Sequence, residues 1–140
     1  MTRQSPRKRV DSTYAEGRLQ LARSYLGAAR TEATLIAPGD IGNPAMSQVV
    51  LAAIAYADAL CARHAGYVNQ QNHAAAVQTL RDAMGNRLPT AQATRLGRII
   101  GEKDDVQYGV RPKTSEEAQR SLEQLEEFAS WAEEELQRPV

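Results

Sequence analysis

The chain has one cysteine, one phenylalanine, one tryptophan and two histidines in 140 residues, and its 17 basic residues are balanced by 17 acidic ones. Each scarcity excludes something. A single cysteine, Cys61, rules out an intrachain disulfide framework, and its place in an apolar segment predicts a buried, inert thiol. His64 and His73 are too few for a multi-histidine metal site within one chain, so no metal is expected. Zero formal charge provides no global field toward nucleic acid or membrane, and any such partner must be recognised locally. No glycine-rich phosphate loop, internal repeat or alternating strand pattern occurs, and no cofactor is expected. The opening stretch MTRQSPRKR has no apolar run behind it, so neither a signal peptide nor an anchor is read there and the expected residence is cytoplasmic.

What is present is helical periodicity. The segment Ala45 to Cys61, AMSQVVLAAIAYADALC, is apolar or small on nearly every side, with Gln48 and Asp58 its main polar exceptions. A helix of this kind is surrounded by other helices rather than laid on a surface, so it predicts the hub of a bundle. Seventeen residues rise about 25 Å, long enough to suggest a membrane span, but Asp58 within it and Arg63 just beyond favour a buried core helix.

Around the hub, residues 1–10 carry Arg3, Arg7, Lys8 and Arg9 and a Ser-Pro step without apolar periodicity. They read as a flexible basic tail ahead of one helical domain over residues 11–140. Thr13 and Glu16 have capping-box spacing, and Ala15, Leu19, Ala22, Leu26, Ala29, Ala33 and Ile36 continue an amphipathic first helix that Pro38, Gly39 and Gly42 stop. Asn43 and Pro44 are placed to cap and open the hub. Beyond a polar loop, Asn72 is placed to cap a third helix whose apolar stripe is His73, Val77, Leu80 and Met84. His73 on that stripe reads as a core histidine or as a partner for Asp58, with a catalytic role as the sharper alternative. A fourth helix from about Pro89 turns Leu96, Ile99 and Ile100 inward and brings Lys103 toward the same side. Gly97, Gly101 and Asp104 share another side, leaving a narrow groove for a second helix or an extended segment. After an irregular connection through Tyr108, Arg111 and Pro112, Thr114 and Glu117 form a capping box for a last helix with Ala118, Leu122, Leu125, Ala129, Ala132 and Leu136 inward. The fold class is therefore all-α, an up-and-down bundle of four to five helices.

Three stretches together resemble an actinobacterial type of HEPN domain over roughly residues 13–137: the hub AAIAYADALCARHAG, the run Asn72-His73-Ala74-Ala75-Ala76-Val77, and Glu102-Lys103-Asp104-Asp105-Val106-Gln107-Tyr108-Gly109 before a capped acidic helix. The resemblance implies a bundle that is usually a homodimer, with its functional motif at the end of the fourth helix facing a shared cleft. In members that cut RNA the motif is an arginine followed after four to six residues by a histidine. Lys103 and Tyr108 stand at the corresponding positions here. Tyrosine, with an ordinary pKa of about 10, is poorly suited to moving a proton near neutral pH, whereas lysine can still attract phosphate as a point charge.

The first expectation is thus a non-catalytic, HEPN-like module that acts as a dimeric partner, for example of a nucleotidyltransferase, or binds a nucleotide or RNA. Its candidate ligand-binding residues are Lys103, Asp104, Tyr108, Arg98, Arg111, His73 and Asp58. A divergent metal-independent ribonuclease of a toxin-antitoxin system, using Lys103, Asp104 and Tyr108 with help from His73, is the enzymatic alternative. A structural helical protein whose glycine-bearing fourth helix packs on a partner is the third.

Overall fold

The computed structural model describes residues 7–69 and 73–139. The expected cap at Asn72 lies outside those residues. The described chain is an all-α helical bundle with one short antiparallel strand pair. In order it runs β1 (Arg7–Arg9), α1 (Ser12–Leu35), α2 (Asn43–Ala65), β2 (Tyr67–Asn69), a 3-10 turn at His73–Ala75 leading into α3 (Ala76–Met84), α4 (Thr90–Gly101), α5 (Lys103–Tyr108) and α6 (Ser115–Gln137).

Helix α2 is the hub. It packs against α1, α3, α4, α5 and α6, and its buried residues run almost without interruption from Ala45 to Ala62. Among the described residues it alone is long and apolar enough to cross a membrane, and 78% of its most apolar window is covered by the rest of the bundle. Small residues make this possible: Ala52, Ala53, Ala55 and Ala59 let neighbouring helices approach from every side. Larger side chains fill the layers between, with Tyr56, Leu60, Leu80, Leu96, Leu125 and Phe128 at most 1% exposed. Each contributes about 1.5–3 kcal/mol of transfer free energy for its burial. Gly66 ends the hub in the left-handed region at φ 70°, a conformation that costs glycine nothing sterically.

A smaller apolar cluster of Ala45, Met46, Val106 and Ala118, with Ile36 against it, ties α5 to the beginnings of α2 and α6. Polar contacts reinforce that corner. The Asn43 amide donates to the Val106 carbonyl at 2.8 Å and its oxygen accepts from the Lys113 N–H at 2.8 Å. Gly42 N–H donates to the Lys113 carbonyl at 2.8 Å. Asn43 is therefore a cross-brace inside the first turn of α2, and Gly42 occupies the cap position expected for it.

Three further expectations are corrected. Residues 7–9 of the basic tail form β1, pairing Lys8 with Val68 while Arg7 is ion-paired with Asp82 and lies over the Tyr67 ring. Helix α1 is capped by Asp11, whose carboxylate accepts from the Tyr14 N–H at 3.0 Å, in place of Thr13. Helix α4 stops at Gly101, short of Lys103, and after a turn at Glu102 helix α5 continues through Tyr108, which was expected to lie in an irregular connection. The capping box at Thr114 and Glu117 is present in both its bonds, each 3.1 Å.

A candidate anion-binding groove

The turn at Glu102 decides where the candidate residues go. By breaking α4 from α5 it places Lys103 at the start of a new helix, beside the 3-10 turn that carries His73. Between them lies a groove of about 400 Å³ lined by His73, Ala74, Val77, Gly97, Ile100, Gly101, Lys103 and Asp104. The two glycines keep it open. A methyl group at Gly97 would meet Val77 at 3.7 Å and one at Gly101 would meet nothing, so neither glycine serves a close helix contact within the chain.

His73 is exposed at the groove edge and is not part of the core, which corrects the inward placement expected from its stripe. The 3-10 geometry over His73–Ala75 rotates it away from the face that Leu80 and Met84 bury. Its imidazole is held below its ordinary pKa, first by partial burial and then by the positive charges of Lys103 and Arg18. The histidine therefore favours its neutral form beside two cations. An anion entering the groove would relieve that repulsion. The Lys103 amine lies 5.9 Å from the centre of the Tyr108 ring, within reach of a cation–π contact, and Tyr108 is itself 77% exposed. Asp104 supplies the opposing charge on the groove wall.

The other candidates do not join this site. Asp58 pairs with Arg18 at 3.1 Å, both side chains largely covered, and burial pushes its carboxyl up to about 6 against the pull of Arg18. The expected pairing of Asp58 with His73 is thus replaced by an ion pair across α1 and α2. Arg98 faces a separate cleft between α4 and α6. Arg111 is taken by Glu117 in a forked pair at 3.0 and 3.1 Å. Burial raises the Cys61 thiol to about 12, leaving it without thiolate character near neutral pH.

Lys113 was missed by pattern reading. Its side chain is only 6% exposed, donates to Glu102 at 2.8 Å, and has Glu117 and Asp105 at 3.8 and 3.9 Å. Nothing in the local sequence distinguishes it from a loop lysine, because its partners come from α5, the turn before it and α6. Its effect is to hold the Glu102 turn, and with it the start of α5 that presents Lys103. Among the described residues no group of three or more histidine, cysteine or acidic side chains is arranged to hold a metal.

No family model matches the chain, and no curated protein matches it either.

Proposed function

We propose that the protein is a helical binding module that takes a phosphate-bearing ligand, a nucleotide or an RNA phosphate, in the groove between α3 and α4 without cutting it. The observation that carries this reading is the convergence of Lys103 and His73 on one open groove, with Arg18 adding positive field at the imidazole. Lysine attracts a phosphate as a point charge, and a nearby histidine gains a proton as the anion arrives. Asp104 opposes binding and the balanced net charge adds no steering, so the affinity is micromolar or weaker and falls with salt. The HEPN-like resemblance adds a homodimeric, cytoplasmic companion of a nucleotidyltransferase or another protein as the biological setting, with the glycine-bearing groove shared between chains.

One observation favours the enzymatic alternative. His73 lines the same groove as Lys103 and supplies the proton carrier that Tyr108 does not. The two readings separate in one experiment: purified protein is incubated with mixed RNA at neutral pH beside His73→Gln, Lys103→Ala and Tyr108→Phe variants, and nucleotide binding is measured on the same samples. Binding that depends on Lys103 without cleavage supports the module. Cleavage lost in both the His73 and Lys103 variants installs a metal-independent ribonuclease in its place, and light scattering at a single-chain mass over a wide concentration range removes the dimer.

A further inference from the structure

A second cleft lies between α4 and α6, on the other side of the Glu102 turn from the groove. Its volume is about 260 Å³, and its floor is made by Met46 and Ile99, which are 3% and 2% exposed. Four charged side chains line it: Arg98, Glu102, Glu117 and Arg120. The signs balance on paper but not in place. Glu102 accepts from the Lys113 amine at 2.8 Å, and Glu117 receives both arms of the Arg111 fork as well as the Thr114 N–H. Both carboxylates are thereby committed to cations outside the cleft. Arg98 and Arg120 are exposed and have no ion-pair partner among the described residues. The cleft therefore combines an apolar floor with two uncompensated guanidinium groups, one from each wall.

We infer that this cleft binds a small organic carboxylate, with its apolar body on Met46 and Ile99 and its oxygens between Arg98 and Arg120. Guanidinium is planar and presents paired N–H donors that match a carboxylate, and such charge-assisted bonds are stronger next to apolar surface than in open water. The volume falls just under the range of about 300–1,000 Å³ usual for ligand pockets, which suits a single ring and leaves no room for a peptide. This site is independent of the groove reading, since neither arginine lines the groove and no residue lines both.

The test uses the full chain and three probes. Benzoate, its neutral counterpart benzamide, and phenyl phosphate are titrated in turn while the Met46 methyl and Arg98 Nε signals are followed by nuclear magnetic resonance. Benzoate is expected to move both signals with saturation, and benzamide to bind at least about tenfold more weakly. Arg98→Gln and Arg120→Gln together are expected to weaken benzoate by at least about tenfold. Their melting temperature should stay at the parent value, because neither side chain has a partner to lose. Phenyl phosphate binding in preference to benzoate overturns the carboxylate assignment. Equal response to benzamide, unchanged affinity in the double variant, or still signals at Met46 overturns the site.

Discussion

Asp58 makes folding stability depend on pH in a direction opposite to that of Asp82, Glu117, Glu126 and Glu133, whose carboxyls are depressed by their partners. It sits on the hub helix with 18% of its side chain exposed, paired to Arg18, yet burial outweighs the pair and lifts the carboxyl from an ordinary 3.8 to about 6. A displacement of that size corresponds to about 3 kcal/mol between the two protonation states. The sign follows from which state holds the proton. Below the unfolded value both states are protonated and the cost is absent. As pH rises toward the folded value, the unfolded chain ionises first, so Asp58 withdraws stability progressively until both states are ionised above about 6. The perturbation that isolates this is Asp58→Asn, which keeps the shape and removes the ionisation. The Arg18 pair adds no separate pH-dependent loss, because its pull on the ionised carboxylate is already contained in the folded value of about 6. Glu117, held at about 2 by Arg111, and Glu126 and Glu133, depressed by Arg30 and Arg23, lose stability in acid, but they are shared by parent and variant and cancel. Urea unfolding of both proteins from about pH 4 to about pH 7 should therefore show the parent losing about 2–3 kcal/mol relative to the variant across that window. A difference that stays flat, or runs the other way, would refute the reasoning and mean that Arg18 compensates the carboxylate fully.

Two further substitutions probe the frame. Ala53→Asp places an unpaired charge at a position with no exposure and should cost at least about 3 kcal/mol; a melting temperature within a few degrees of the parent would mean that the hub is misplaced. Gly42→Ala drives a methyl group into the Thr114 carbonyl and to 3.1 Å from the Ala118 side chain, backbone and helix surface that have no flexible end to give way. It should cost about 1–3 kcal/mol by urea unfolding, and a neutral outcome would show that the α2–α6 corner is looser than its hydrogen bonds indicate.

What was legible in the sequence was whatever is local or surrounded. The hub could be read because apolar and small residues occupy every side of it, and the inward set Leu96, Ile99 and Ile100 because one helix face repeats. The Thr114 capping box could be read because both its partners lie within three residues. The first cap was misplaced because Asp11, Ser12 and Thr13 are three adjacent residues of capping type, and the structure uses the earliest. Long-range polar pairing was not legible at all. Arg18 with Asp58, Lys113 with Glu102, and Asn43 with Val106 and Lys113 join residues whose proximity exists only after the helices pack. The candidate site was half legible for the same reason. Lys103 and His73 were singled out separately by residue type, whereas their meeting depends on the break at Glu102. That break, together with the five-residue spacing along the chain, also carries Arg98 to a different face.

The claim that the groove receives phosphate is tested most directly at His73 itself. Its imidazole signals are titrated against pH by nuclear magnetic resonance with and without inorganic phosphate, in the parent and in Lys103→Ala. Without phosphate the parent histidine should titrate below its ordinary range, because burial, Lys103 and Arg18 all disfavour the imidazolium. Bound phosphate should raise that value by offsetting the two cations. The Lys103 variant should start higher and respond less. A parent histidine that titrates at the same pH whether or not phosphate is present would contradict the account.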